Sequence, residues 1–345
     1  GDGLLCVAPL LTSTPFLLNL PHTKNPSDLM EVISHNDRYD GRPSAVCVGV
    51  FDGLHLGHQA LLRRLTGEAR ARGLVSLAVT FEPHPRIVLS KGNDRVGLLT
   101  TATEREALFE AAGVDRLAVL PFTRQFSDLT ARQFLEEWLR GRFCARYMLI
   151  GYNHHFGSDD VPPESYVPLA AEVGMEAERA GVFRLPGDVK VSSTEVRKAL
   201  AEGNVERAAQ LLGRHYSVRG HVVHGDAIGR AIGFRTANVV PGEDRKLIPA
   251  DGVYAATVSL DGGPALPAVV NVGSRPTVGG GDRRLEAHLI GFDSDVYGCE
   301  AKVCFVARLR DEMKFDTLDA LAAQIRLDAE AAQRVLEMHD GSLTL

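Results

Sequence analysis

The chain has 345 residues, of which 45% are hydrophobic and 24% charged, with a formal net charge of -6. That length holds two domains with a core each, and the balance is that of a soluble globular protein. A negative net charge gives no general attraction to nucleic acid or to an anionic membrane, so neither is expected as a partner and any phosphate binding has to be local.

Cys6, Cys47, Cys144, Cys299 and Cys304 are odd in number and form no C-x-x-C pair. This favours reduced thiols in a cytoplasmic protein over a disulfide framework or a zinc site. Leu4 to Leu20 is apolar, but it lacks a basic lead and is broken by Pro9 and Pro15, unlike a signal peptide. It is also short for a membrane span. Residues 1–42 read as an N-terminal extension and lead-in, with the first strand approached through Arg42 to Ala45. The missing initial Met suggests a trimmed chain.

Val46 to Val50 is a run of small and β-branched residues that predicts a buried strand. Phe51-Asp52-Gly53 follows as a turn, and Gly57 to Leu65 as the opening of a helix. His55 and His58, three apart, then lie on neighbouring faces of the junction. A strand that ends in a glycine turn and opens a helix gathers backbone N–H groups and the positive end of the helix dipole at one spot. Two imidazoles there can donate to phosphate oxygens as charge develops on them.

Strands are predicted at Leu74 to Phe81, Arg116 to Leu120 and Arg146 to Ile150. The helices between them open on Thr101-x-x-Glu104 and Thr130-x-x-Gln133, the pattern of reciprocal capping boxes. Repeated β-α-β units imply a Rossmann-like parallel sheet with ligands outside the carboxyl ends of its strands. Two further strand ends should face the same crevice, Glu82-Pro83-His84-Pro85-Arg86 and Gly151-Tyr152-Asn153-His154-His155-Phe156-Gly157. The pair His154 and His155 has no further ligand at a metal-binding spacing. Val191 to Arg197 opens another helix, with Ser192-x-x-Glu195 as its cap. Ser193, Thr194 and Arg197 add hydroxyls and a guanidinium suited to clamping a polyphosphate.

Asn204 to Leu212 predicts a short linking helix, capped by Asn204 and stopped by Gly213. The pattern then changes to strands alone, at Tyr216 to His224, Gly252 to Leu260, Pro267 to Val272, Leu285 to Ile290 and Lys302 to Leu309. These predict a small antiparallel β-barrel, closed by an amphipathic helix over Thr317 to Leu336 that packs on it. The loop His224 to Gly233 is glycine-rich without the ending of a Walker loop. In the extended segment after it, Thr236 and Asn238 share one face and offer hard oxygens to Mg²⁺ and ATP phosphates. Glu286, an acid inside an apolar strand, is either an outward-facing residue or a general base beside that site.

The histidine stretch, the Ser-Ser-Thr-x-x-Arg stretch and the Thr-Ala-Asn and Glu286 stretches, in this order, resemble the prokaryotic bifunctional riboflavin kinase and FAD synthetase family from about Pro43 to Ala332. The resemblance implies a nucleotidyltransferase-like α/β domain at 43–203, a linker helix at 204–215 and a riboflavin kinase barrel with its C-terminal helix at 216–345. The first would transfer AMP from ATP to FMN, giving FAD and pyrophosphate, and the second would phosphorylate riboflavin to FMN, with Mg²⁺ and ATP at both sites. On this reading His55 and His58 stabilise the transition-state phosphates, while Arg197, Ser193 and Thr194 hold pyrophosphate. No covalent nucleophile is needed.

The resemblance also implies ATP or flavin contacts at Gly49, Phe51, Asp52, Gly53, Gly57 and Asn153. In the barrel it implies them at Gly225, Gly229, Gly233, Thr236, Asn238 and Arg275, with Thr236 and Asn238 on Mg²⁺ and Glu286 as base for the ribityl hydroxyl. His154 stands where the family pattern has Phe, and Arg235 where it has Pro before Thr-Ala-Asn. Arg235 keeps open an FMN adenylyltransferase whose barrel has lost its kinase. A non-catalytic flavin-binding protein is the third reading, against which His55, His58, Arg197 and Glu286 argue. Self-association into a homo-oligomer stays open.

Overall fold

The computed structural model describes residues 29–90, 96–224, 236–274 and 283–339. The first half alternates strands and helices in chain order: β1 (Glu31–Ser34), β2 (Ser44–Val48), α1 (Leu56–Arg72), β3 (Val75–Glu82), α2 (Pro85–Leu89), α3 (Ala102–Ala111), β4 (Arg116–Pro121), α4 (Arg124–Ser127), α5 (Ala131–Gln133) running into a π-helical stretch (Phe134–Arg142), and β5 (Ala145–Ile150). There follow α6 (Tyr166–Glu172), β6 (Glu176–Arg179), the small hairpin of β7 (Arg184–Leu185) and β8 (Val189–Lys190), α7 (Ser193–Ala201) and α8 (Val205–Leu212).

Strands β1 to β6 form one parallel sheet in the order β1-β4-β3-β2-β5-β6. Every residue of β2 is buried, because helices cover both faces and a central parallel strand therefore carries apolar side chains at every position. Period-2 alternation then sorts them. Val46 and Val48 enter one core with Leu77, Val79, Leu135 and Met148, and Ala45 and Cys47 enter the other with Leu62, Leu65, Phe109 and Leu149. From β2 the chain winds first toward β3 and β4, then back to β5 and β6. The carboxyl end of β2 is thus the switch point where such sheets bind ligands.

The sheet does not begin at the strand approached through Arg42. Glu31–Ser34, inside the stretch read as extension and lead-in, is its edge strand and pairs with β4 from Glu31↔Arg116 to Ser34↔Val119. Only Ile33 of its four residues is buried, so it has too little apolar pattern to register. Arg116, 3% exposed, holds this edge with ion pairs to Glu31 at 2.8 Å and Asp40 at 2.5 Å.

The second half is a closed antiparallel barrel of β9 (Tyr216–Val223), β10 (Ala237–Pro241), β11 (Gly252–Leu260), β12 (Ala265–Ser274), β13 (Arg283–Leu289) and β14 (Glu300–Arg310), in the order β10-β13-β12-β11-β14-β9. α9 (Leu318–His339) lies across β11, β12 and β14. It covers the outward residues Val253, Ala255 and Val269 with Ala329, Ala332 and Val335. The barrel interior, with Val218, Tyr254, Val270, Leu285 and Phe305, continues without a break into Val196, Leu200, Val205 and Leu212 of α7 and α8. α8 has the expected Asn204 cap and a left-handed Gly213, but it is a buried part of this joint core.

Candidate active sites

The loop after β2 carries a cluster of unusual backbone angles, with φ of 52° at Phe51, 83° at Gly53 and 36° at Leu54. Strained φ at non-glycine residues persists only where the surroundings hold it. The loop delivers His55 to the N-cap of α1, where its Nδ1 accepts the His58 N–H at 3.3 Å. The two rings stack with centroids 3.6 Å apart, and Phe51 meets His58 edge-on from below at 5.1 Å. A Cβ on Gly57 would come within 3.2 Å of the His55 ring, so the glycine between the histidines makes room for this cap. α1 leaves the first N–H groups, those of Leu56 and Gly57, without acceptors inside the helix.

Burial pushes His55 down to about 4. His58 falls well below the ordinary imidazole value, through burial first and then the neighbouring His55 and His154. His154, in the loop after the adjacent strand β5, is held at about 4, mainly by burial. The buried His58 Nδ1 and His154 Nε2 have no hydrogen-bond partner within the protein. Three neutral imidazoles therefore gather at the switch point. Asn153, beside them in sequence, is exposed. His84, after β3, caps α2 by accepting the Arg86 N–H at 3.1 Å, and it lies near Asp52 and Arg197. All three predicted strand ends thus meet one crevice.

Several residues assigned to ATP or flavin turn inward instead. The buried Asp52 carboxylate accepts from the N–H groups of Leu99 and Thr100 at 3.0 Å, from the Thr100 hydroxyl at 3.1 Å, and from Arg197. A saturated anion is no phosphate ligand, so Asp52 is a structural anchor. Gly53 donates its N–H to Thr100 Oγ1 at 3.1 Å and its carbonyl accepts from Arg214 at 2.7 Å, so its backbone is already occupied. Gly49 donates to the Val79 carbonyl, and a Cβ there would touch the Phe51 ring at 3.0 Å. Phe51 itself is 2% exposed and packs on Phe109. Ser193 spends its proton on the Asp52 carbonyl at 2.8 Å, and Thr194 beside it is exposed. Arg197 donates Nε to the Gly97 carbonyl at 3.0 Å and one terminal nitrogen to Asp52, which leaves its other terminal nitrogen for a ligand.

Arg214, Gln59, Thr100, Lys246 and Glu104 belong to this framework, and none of them lies in a phosphate-binding motif. Their partners lie up to 161 residues away along the chain, and only Glu104 stood out in the sequence, as a capping residue.

In the barrel, alternation sends Ala237, Val239, Leu285, Ala287, Val270 and Val272 inward. The intervening Asn238, Glu286 and Asn271 share the outer face. They sit in register across three neighbouring strands, Asn238↔Glu286 and Glu286↔Asn271, so Glu286 is outward-facing and also beside Asn238. Asn271 Nδ2 reaches Glu312 at 3.4 Å. Thr236, half-buried, leads into β10. Gly225, Gly229, Gly233, Arg235 and Arg275 lie outside the described residues.

Residues 37–195 match the FAD synthetase family model and residues 212–336 the riboflavin kinase model. The bifunctional riboflavin kinase/FMN adenylyltransferase of Pseudomonas fluorescens is 38% identical over 307 residues, 87% of this chain and 95% of its own length. This chain belongs to that family. The bifunctional enzyme of Escherichia coli strain K12 is likewise 38% identical, over 83% of this chain and 90% of its own. A solved Streptococcus pneumoniae structure, described as a macrolide-efflux protein, shares both domain folds with a TM-score of 0.81 and 33% identity over 88% of this chain and 99% of that one.

As a bifunctional riboflavin kinase/FMN adenylyltransferase, the chain converts riboflavin and ATP to FMN in the barrel and FMN and ATP to FAD and pyrophosphate in the α/β domain. Both domains are present and match, so the two-step reading replaces those of a lone adenylyltransferase and a flavin-binding protein. Among the described residues, no helix is long and apolar enough to cross a membrane.

Proposed function

We propose that His55, His58 and Arg197 carry adenylyl transfer, and that Glu286, Asn238 and Thr236 carry phosphoryl transfer. The observation that carries the first assignment is the stacked histidine pair with His55 Nδ1 already occupied by the His58 N–H. A neutral His55 then keeps its proton on Nε2, the nitrogen that remains for a ligand. An FMN phosphate oxygen attacks the α-phosphorus of ATP as the bond to pyrophosphate breaks. Negative charge builds on the phosphate oxygens during this exchange, and preset N–H donors in a dry site stabilise it without reorganising. The free terminal nitrogen of Arg197 and the opening turn of α7, with Thr194 exposed there, meet the departing pyrophosphate.

In the barrel, Glu286 accepts the proton of the ribityl hydroxyl as that oxygen attacks the γ-phosphorus of ATP and the bond to the departing ADP breaks. The amide oxygen of Asn238 and the hydroxyl of Thr236 are hard donors that suit Mg²⁺, and the paired positions Asn238↔Glu286 set an acceptor beside the base. The ion supplies neutralisation of phosphate charge when bound. The free thiols of Cys47, Cys144, Cys299 and Cys304 support a cytoplasmic location.

His58→Ala tests the first site. FAD formation from FMN is expected to fall by about 10²-fold or more, with riboflavin phosphorylation unchanged in the same preparation. A variant that makes FAD at the parent rate would remove His58 from the mechanism.

A further inference from the structure

The barrel reaches into the other domain's site through the segment between β10 and β11. The Leu98 N–H donates to the Arg245 carbonyl at 2.7 Å and the Leu247 N–H to the Leu98 carbonyl at 2.8 Å, which lays 245–247 alongside 97–100. Between them Lys246 is buried with its side chain 2% exposed, ion-paired at 2.5 Å to Glu104, itself 8% exposed. The Lys246 ammonium also donates to the Leu99 carbonyl at 2.8 Å, and Glu104 accepts the Thr101 N–H at 3.0 Å. On the opposite side of this strip, the N–H groups of Leu99 and Thr100 hold the Asp52 carboxylate, which in turn holds Arg197. The chain of contacts therefore runs from a barrel lysine, through three consecutive peptides, to the guanidinium assigned to pyrophosphate.

We propose that Lys246 of the kinase barrel is a positioning residue for adenylyl transfer in the α/β domain. It touches no reactant. It fixes the direction of the Leu99 and Thr100 peptides, and through them the Asp52 carboxylate and Arg197. Without the ammonium, the Leu99 carbonyl loses its side-chain donor and the Glu104 carboxylate its buried cation, and the strip shifts to find another. Displacements well under an ångström at a phosphate-holding group lower the rate of transfer. The inference rests on the assignment of adenylyl transfer to the His55 and Arg197 site.

The test uses the full chain with Lys246→Met, and with Lys246→Met combined with Glu104→Gln. The double variant removes both buried charges together, so it folds even where the single one leaves an unpaired carboxylate. Adenylyl transfer and riboflavin phosphorylation are measured on the same preparations, with kcat and KM separated. The expected result in the double variant is a fall of about tenfold or more in kcat for FAD formation, with kinase kcat within about twofold of the parent. FAD formation within about twofold of the parent would overturn the proposal. Equal loss of both activities would overturn it too, since Lys246 would then serve folding alone. His58→Ala, run alongside, separates the two levels: if it loses FAD formation while the double variant keeps it, the site stands and the positioning role falls.

Discussion

His55 binds the His58 N–H with one nitrogen, stacks on the His58 ring, and sits in a pocket dry enough to hold it neutral. Its titration leaves a mark on stability. The folded pKa of about 4 lies below an unfolded value of about 6.5. Between those values the unfolded chain binds more protons, so the His55 contribution is complete above about pH 6.5 and is lost as pH falls toward 4. The difference is worth about 3 kcal/mol at most for this ring, and His154 and His84 titrate with the same sign. Denaturant melts at pH 7 and pH 4.5 should show this loss, and His55→Asn, which keeps a capping oxygen, should make the difference smaller. An unchanged difference in that variant would contradict the burial argument.

At this scale the histidines were legible because strand, turn and helix start are local patterns. The anchoring roles of Asp52, Gly53 and Ser193 were not, because Asp52 and Gly53 find partners at residues 99–100 and 193–214, and Ser193 finds its own at Asp52.

Among the elements, α9 is fixed to the barrel by a polar joint beside its apolar contact. Arg310 of β14 donates to the buried Asp328 at 3.0 Å through Nε and at 2.7 Å through a terminal nitrogen, and Gln324 adds a third bond at 2.9 Å. Asp328→Ala leaves a partly buried guanidinium without its anion and should cost about 3 kcal/mol. A urea titration reads this as a lower midpoint, and an unchanged midpoint would show that the helix is held by its apolar face alone. Cap chemistry made the element starts legible: Thr101 with Glu104 and Thr130 with Gln133 form the reciprocal boxes their spacing announces. The strands of the α/β domain left unassigned from sequence, β1 and β6 to β8, are two to four residues long and mostly exposed or half-buried. Such strands take their place from a neighbour's edge rather than from their own apolar pattern.

The whole molecule is two catalytic units on a shared core. Their order, their fold classes and the change from alternating to all-strand pattern could all be read along the chain. Their docking could not, since Lys246 meets Glu104 across 142 residues of sequence and Tyr254 and Phe305 share a core with Leu99. Riboflavin phosphorylation and FMN adenylylation occur on this one chain in separate domains, and under the proposed assignment Glu286 serves only the first.

The most direct measurement supplies either riboflavin or FMN, with ATP and Mg²⁺, to the parent chain and to Glu286→Gln, and separates the flavins by chromatography. FAD is expected from both flavins in the parent. In the variant, FAD is expected from FMN at the parent rate, with riboflavin conversion lowered by about 10²-fold or more. Undiminished conversion of riboflavin in Glu286→Gln, or loss of FAD formation from FMN in that variant, would contradict that assignment.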